Sequence, residues 1–171
     1  MKTFQNFMLE CSQVDESSLS RIKSKHDKGG VAVLSGSRAD KSSKENRARA
    51  QKLDKDIRGK FGKGATKVSG RYTEKDDKTG KETKVKERSH VVTSGKMGKR
   101  KFKKAVKSLG KKYNQDAVIT QTKPGGSATL KRTRKGGLPK KNIPLGKMRP
   151  GRTGENDTRI KGKTYTYEET V

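Results

Sequence analysis

The apolar residues of this chain fall into short blocks whose spacing predicts a small number of helices and strands. Residues 31–34 form a continuous apolar run after two glycines, which is typical of a central buried strand. A first helix is predicted from Ser42, a suitable N-cap, to about Phe61, where glycines stop it. A second is predicted over residues 99–113. Their apolar stripes are Ala50, Leu53, Ile57 and Phe61 in the first helix and Phe102, Ala105, Val106, Leu109 and Tyr113 in the second.

Alternation of apolar and polar residues between turn signals predicts antiparallel strands in the rest of the chain. Paired strands are expected at residues 66–72 with 84–93, 116–120 with 127–133, and 158–161 with 164–167. The order of elements is therefore β-α-β-β-α-β-β, followed by a loop and a β-hairpin. This order predicts the α+β class: a single small domain with a mostly antiparallel sheet and two helices packed on it.

Polar stretches divide the chain into five segments. Residues 11–30 contain few apolar positions and are interpreted as a flexible linker or weak helix. Residues 134–157 are basic and contain Gly and Pro, which keep them from a regular helix, so we expect a flexible or extended arm. The predicted division is residues 1–10 as a separate N-terminal segment, 11–30 as linker, 31–133 as the α+β core, 134–157 as the basic arm and 158–171 as a C-terminal hairpin.

The charge of the chain points to a polyanionic partner. Lys and Arg number 45 against 18 Asp and Glu, which leaves a net charge of +27. A charge of this size repels itself unless a polyanion neutralises it. DNA is one candidate, and composition alone leaves RNA on a ribosome, an acidic membrane surface or simply a soluble basic domain as alternatives. The hydrophobic content of 26% restricts the chain to a modest core.

Two features indicate that any nucleic acid is held through its phosphates and not read by sequence. No zinc-finger spacing, basic zipper or recognition-helix pattern is present, and aromatic residues make up only 5% of the chain. No acidic residue occurs between Lys123 and Glu155, and the second helix has a basic outer face. The predicted phosphate contacts are Lys103, Lys104, Lys107, Lys111, Lys112, Lys131, Arg132, Arg134, Lys135, Lys140, Lys141, Lys147, Arg149 and Arg152.

The N-terminal ten residues have the pattern of a targeting signal. If they are helical, Phe4, Phe7 and Met8 lie on one face, but a helix this short is marginal in water and needs a partner to dock against. The segment also lacks the apolar run of about 7 to 15 residues that a secretory signal requires. The sequence therefore predicts a short docking peptide and no secretion.

This segment resembles a known family in its sequence of Met-Lys-Thr, an aromatic residue, Gln, any residue and Phe, followed by an apolar pair and Glu. It is similar to the capsid-targeting peptides of internal head proteins of T-even-type bacteriophages. The resemblance implies that residues 1–10 carry the protein into the prohead through its scaffold or shell. It also implies that the prohead maturation protease cuts after Glu10, within the processing site Met8, Leu9, Glu10 and Cys11.

The resemblance of residues 1–10 to a targeting peptide and the net positive charge together suggest a function. We expect an internal virion protein that is packaged with DNA by non-specific phosphate binding and is delivered with it into the host cytoplasm. A host protein is then a further possible partner, and we expect no membrane partner.

The middle of the chain carries a second resemblance, over about residues 31–130. The segments Lys86-Glu87-Arg88-Ser89 and Tyr113-Asn114-Gln115-Asp116-Ala117-Val118 are similar to an uncharacterised small α+β domain family of bacteria and their phages. That resemblance implies the fold and leaves the chemistry open. Asn46, Glu87 and Gln115 lie at element ends, where they either converge on a pocket or separately brace helices and loops. If they converge on a pocket, the protein is a small cytoplasmic enzyme, or an inhibitor of a host factor, that acts through that pocket.

The residue inventory offers little to catalysis. With two His and one Cys, the chain cannot build a Cys/His zinc site or an internal disulfide. Strand alternation places Glu87 and Ser89 on one face and His90 on the other, so these three do not form a catalytic device. The sequence therefore predicts no catalytic residue, metal ligand or cofactor, and leaves open whether the protein is an enzyme.

Overall fold

The protein is α+β, as predicted, with three helices and nine strands among the residues that the structure describes. The structure is a computed structural model and describes residues 19–75, 78–135, 141–151, 157–160 and 162–167. The predicted targeting peptide and processing site lie outside these ranges. In chain order the elements are α1 (residues 19–28), β1 (Val31–Ser35), α2 (Ser43–Phe61), β2 (Thr66–Lys75), β3 (Glu82–Thr93), α3 (Lys99–Lys112), β4 (Ala117–Gln121), β5 (Ala128–Arg132), β6 (Asn142–Gly146), β7 (Met148–Pro150), β8 (Asp157–Ile160) and β9 (Lys163–Tyr167).

All nine strands belong to one antiparallel sheet that curls almost into a barrel. Their order is β6-β5-β4-β1-β3-β2-β8-β9-β7, so β6 and β7 are the two edge strands. Yet β6 ends at Gly146 and β7 begins at Met148, with only Lys147 between them. Because consecutive residues cannot be far apart, the two edges of the sheet must meet, which bends the sheet around.

The sheet is buried on both faces, and β1 shows why. Ala32 and Leu34 point to the outer face, where they pack with Leu53 of α2 and Phe102 of α3. Val31 points to the inner face, where it joins a second cluster that includes residues from β2, β3, β8 and β9. The continuous apolar run therefore reports a strand with a hydrophobic layer on each side, as expected for a central strand.

Helix α1 fills the inner face, so of the two interpretations of residues 11–30, linker or weak helix, the structure shows a helix over residues 19–28. Ile22 is fully buried, and His26 is 3% exposed. The carbonyl oxygen of His26 accepts hydrogen bonds from the amide of Gln121 (2.5 Å) and from the backbone N–H of Gly125 (2.9 Å). Two buried positions at helical spacing are too weak a signal to find in sequence, yet they suffice when a curled sheet surrounds them.

Helix α2 begins and ends as predicted. The Ser42 side chain accepts a hydrogen bond from the Glu45 backbone N–H (3.2 Å), and the Glu45 carboxylate accepts one from the Ser42 backbone N–H (2.8 Å). This capping box satisfies two N–H groups that the helix leaves without partners. Gly62 ends the helix with φ of +69°, a conformation that side chains disfavour.

The predicted basic arm contains both edge strands. In β6, Ile143 pairs with Leu130 of β5, and Pro144 is tolerated because an edge strand has a row of unpaired N–H positions. In β7, Met148 pairs with Tyr167 of β9. The described part of the arm, residues 134–135 and 141–151, is therefore ordered mainly by strand pairing.

Candidate functional site

A cleft lined by six cations lies between the second half of α3 and the strands β5 and β6. Its volume is about 370 Å³, and we call it the basic cleft. Helix α3 contributes one wall, and the chain around the end of β5 and the start of β6 contributes the other. The lining residues are Lys107, Lys111, Asn114, Arg132, Thr133, Arg134, Lys135 and Lys141.

The cleft exists because α3 packs unusually close to the end of β5. A Cβ atom on Gly110 would lie 2.7 Å from Cγ2 of Thr133 and 2.8 Å from Cγ1 of Val118, so only glycine fits there. Thr133 is fixed in turn by a backbone hydrogen bond from its N–H to the Asp116 carbonyl oxygen (2.9 Å), and its hydroxyl donates to the Gln115 carbonyl oxygen. These contacts hold two separate runs of cations against each other.

The electrostatics of the cleft are those of an anion site. The pKa of Lys131, which lies beside the cleft, is lowered first by burial and then by the nearby charges of Lys103, Lys107 and Lys141. Asp116 is paired with Arg134, which removes one charge from the total. Like charges held at short range in this way are relieved when an anion binds, since an opposite charge favours the protonated lysine.

The structure thus brings together eight of the residues predicted to contact phosphate and places the others elsewhere. Those at or beside the cleft are Lys103, Lys107, Lys111, Lys131, Arg132, Arg134, Lys135 and Lys141. Lys104 is exposed on α3, whereas Lys112 pairs with Asp56 of α2 at 2.8 Å. Lys147 and Arg149 lie at the junction of the two edge strands, and Lys140 and Arg152 are outside the described ranges.

Asn46 and Gln115 meet at the loop between β1 and α2. The Asn46 side chain accepts a hydrogen bond from the Arg38 backbone N–H and donates one to the Arg38 carbonyl oxygen, both at 2.9 Å. The Gln115 amide donates to the Ser37 carbonyl oxygen at 3.0 Å. Both side chains therefore brace the backbone of the same loop from opposite sides.

Two arginines complete the bracing of this loop, and neither was among the predicted site residues. The Arg49 guanidinium donates to the carbonyl oxygens of Gly36 (2.6 Å) and Tyr113 (2.5 Å). Arg38 donates to the Asn114 carbonyl oxygen at 2.6 Å. The loop is thereby connected to the end of α3. Carbonyl oxygens distant in sequence give no signal that such contacts exist.

Glu87 lies on the inner face of the sheet, two residues from Ser89, which pairs with Ser35 at the end of β1. It is half-buried and pairs across the sheet with Gly70 of β2. Strand alternation places it on the same side as Val91, which packs in the inner cluster. His90 points to the outer face, is 2% exposed, and has a pKa lowered mainly by burial. The predicted separation of His90 from Glu87 and Ser89 is confirmed.

No group of three His, Cys, Asp or Glu side chains among the described residues could hold a metal ion. In the same ranges, no helix is long and apolar enough to cross a membrane.

Comparison with known proteins adds a family to this geometry. A family model described as the S-adenosylmethionine lyase family matches residues 32–170. The chain belongs to the S-adenosylmethionine lyase family. The match runs from β1 to beyond β9, so it includes Glu87, the braced loop and the basic cleft, and it leaves out α1 and the N-terminal segment. A comparison with curated protein sequences gives no significant match.

Family membership also changes how the middle region is interpreted. The resemblance stated for residues 31–130 offered a fold without an activity. The family match covers nearly all of that region and carries the name of a reaction. The residue inventory left open whether the protein is an enzyme. The name of the family now specifies which activity should be measured.

Proposed function

We propose that the protein is a lyase that cleaves S-adenosylmethionine. The observation that carries this proposal is the family match over residues 32–170, which spans the sheet and both outer helices. Fold alone does not determine function, so the proposal also needs a site with suitable chemistry.

Glu87 is the residue on which we base the site. S-adenosylmethionine carries a sulfonium cation, and a chain with net charge +27 repels it except near a carboxylate. Glu87 is a half-buried carboxylate on the inner face of β3. Its cross-strand partner is Gly70, where a Cβ atom would meet nothing closer than the Ser89 hydroxyl at 3.7 Å. The glycine therefore leaves open surface beside the carboxylate.

Mass spectrometry of the purified protein with S-adenosylmethionine tests this proposal. A lyase adds no water, so the substrate should disappear and the masses of the primary products should sum to that of the substrate. Glu87→Gln removes the charge and should lower turnover at least a hundredfold, whereas Glu82→Gln, an exposed carboxylate on the same strand, should leave it unchanged. Absence of turnover by the unaltered protein would refute the proposal.

The basic cleft favours a second function, which does not conflict with the first. We propose that the protein binds DNA through phosphates in this cleft and is packaged with it in a phage head. In this proposal residues 1–10 are the targeting peptide and are removed after Glu10, and the protein reaches the host cytoplasm with the DNA. Its support is the cationic lining of the cleft together with the N-terminal resemblance.

Purified virions decide the packaging part of this proposal. Particle-derived protein should begin at Cys11, and a protein that is absent from particles, or that still begins at Met1, would contradict packaging with processing. DNA binding is measured separately, by titrating several unrelated duplexes at two salt concentrations. Similar affinities with a steep salt dependence are expected, because counterions are released from each neutralised phosphate.

The alternative is a small cytoplasmic enzyme or host-factor inhibitor that is never packaged. In this alternative the protein acts through a pocket near Asn46, Glu87 and Gln115. Asn46 and Gln115 brace the β1–α2 loop, and Glu87 supplies the carboxylate of the site proposed above. S-adenosylmethionine cleavage by a protein that is absent from virions would favour it.

A further inference from the structure

A second cationic cavity lies at the opposite end of α3 from the basic cleft. Its volume is about 460 Å³, and four lysines from three parts of the chain line it. Lys25 and Lys28 come from α1, Lys63 follows α2, and Lys99 begins α3. We call it the lysine cavity. Its remaining lining residues are Gly29, Gly30, Thr93, Ser94, Gly95, Phe102, Thr122 and Pro124.

The backbone builds part of this cavity without side chains. The Ser94 N–H donates to the Gly30 carbonyl oxygen at 2.6 Å, which brings the two segments into contact. A Cβ atom on Gly30 would lie 2.0 Å from the Ser94 hydroxyl oxygen, so no other residue fits there. The Ser94 side chain occupies the place that a side chain of residue 30 would take, so the two segments form a closely packed part of the cavity wall.

The four lysines line one cavity without a counter-charge in its described wall, and Lys25 and Lys63 are close enough for their charges to interact. None of the described residues that line the cavity is Asp or Glu. Lys25 is partly buried and donates a hydrogen bond to the Thr66 hydroxyl, and its pKa is lowered first by burial and then by Lys63 and Arg21. The Nζ atom of Lys63 is 3.0 Å from the position that a Cβ on Gly95 would take, so this charge lies against the backbone at the cavity.

We propose that the lysine cavity binds the triphosphate group of a small ligand. Several phosphoryl groups in a row supply multiple negative charges at neutral pH and many hydrogen-bond acceptors, which match clustered ammonium donors. The size of the cavity lies in the range of small-molecule sites. S-adenosylmethionine does not suit it, because its sulfonium would be repelled by the lysines. The site is thus separate from the one proposed at Glu87.

The lysine cavity is also separate from the basic cleft. Lys99 and Lys111 are twelve positions apart on α3, which corresponds to about 18 Å along the helix axis. A triphosphate is much shorter than this distance. One small ligand therefore occupies one site, and substitutions at the two ends of α3 can be tested independently.

Isothermal titration calorimetry of the full chain with inorganic triphosphate, ATP and orthophosphate tests the proposal. Triphosphate should bind more tightly than orthophosphate, and its tightest site should be the lysine cavity. Lys28→Gln and Lys63→Gln should each weaken its binding about tenfold. Lys60→Gln, which removes an exposed lysine of α2 outside the cavity, should change it less than twofold. ATP binding tighter than triphosphate would identify a nucleotide as the ligand, and equal binding would identify the triphosphate group alone.

Variants of the basic cleft provide the opposing measurement. If Lys107→Gln weakens triphosphate binding as much as Lys63→Gln does, the anion is held in the cleft and the proposal is overturned. Equal weak binding of triphosphate and orthophosphate to all variants overturns it as well. Thermal unfolding of each variant should match that of the unaltered protein, which excludes loss of fold as the cause of weaker binding.

Discussion

The two helices on the outer face of the sheet bury similar apolar stripes and differ sharply in their charges. Helix α2 has a capping box at its N-terminus and three acidic residues, of which Asp54 and Asp56 form ion pairs with neighbouring cations. Helix α3 has Gly98 as N-cap without a side-chain hydrogen bond, no acidic residue in its first turn, and eight Lys or Arg among 14 residues.

The difference in charge between α2 and α3 affects how each helix is stabilised. Acidic residues near a helix N-terminus are stabilising and cations there are not, so the cations in the first turn of α3 oppose its formation, whereas Lys111 and Lys112 in its last turn favour it. The packing of Phe102, Val106 and Leu109 against the sheet must therefore hold α3 in place. Lys112 is neutralised by Asp56, whereas other cations of α3 line or adjoin the two cationic sites.

The largest expected contrast is in DNA binding. Lys107→Gln with Lys111→Gln should lower the affinity for duplex DNA about 10- to 100-fold and reduce the slope of log affinity against log salt by about 1.8, which corresponds to two phosphate contacts. The matched double variant on α2, Lys52→Gln with Lys55→Gln, should leave both quantities nearly unchanged. Fluorescence anisotropy of a labelled duplex measures both. Equal losses for the two pairs would mean that net charge matters and the cleft does not.

A glycine in each helix gives the next contrast, with opposite signs. Gly110→Ala should lower the free energy of unfolding by about 1–3 kcal/mol, because its methyl group would overlap Thr133 and Val118. Gly59→Ala in α2 has nothing within 4 Å of the new methyl group and should raise the free energy of unfolding by up to about 1 kcal/mol. Urea unfolding of both variants checks this. A stabilised Gly110→Ala variant would contradict the close packing of α3.

The helix caps should differ by about 1 kcal/mol. Ser42→Ala removes the capping box of α2 and should destabilise the protein by about that amount, whereas Gly98→Ser offers α3 a cap that it lacks and should stabilise it. Thermal denaturation should show a lower Tm for the first variant and a higher Tm for the second. Equal Tm values would mean that packing alone decides how both helices begin.

The smallest effect concerns the ion pair that joins the two helices. Hydrogen bonds from Lys112 and Tyr113 lower the pKa of Asp56 below its ordinary value of 3.8. A lowered folded-state pKa contributes stability above the unfolded-state pKa, and this contribution is lost as pH falls through the folded-state value. Stability should therefore decline below about pH 4 by less in Asp56→Asn than in the unaltered protein. If urea titrations show that the variant and the unaltered protein lose the same stability at low pH, this carboxylate is not coupled to folding.

Much of the fold could be predicted because its signals are local. Both outer helices, their stripes and the caps of α2 follow from spacing and from single residues such as Ser42 and Gly62. Helix α1 could not be predicted in the same way, since Ile22 and His26 are buried only because distant strands surround them. The edge strands β6 and β7 within the basic arm likewise depend on pairing with β5 and β9, and both of these partner strands lie outside the arm.

The candidate sites show the same division between features with a local sequence signal and features that depend on distant contacts. The cations of α3 and of residues 131–141 were recognised from charge runs, but only the close approach at Gly110 shows that they line one cleft. The lysine cavity had no sequence signal, because its four lysines are spread over 75 residues from Lys25 to Lys99 in a chain where lysine is common.

By itself, the sequence determined the α+β class, the outer helices and an excess of positive charge. Only the tertiary structure decided that the sheet curls until β6 and β7 meet at Lys147, that α1 fills its inner face, and that Glu87 lies on that same face. The reason is that capping and periodicity act between residues a few positions apart. Closure of a sheet and the assembly of a cavity depend on contacts between distant residues, whose partners no local pattern specifies.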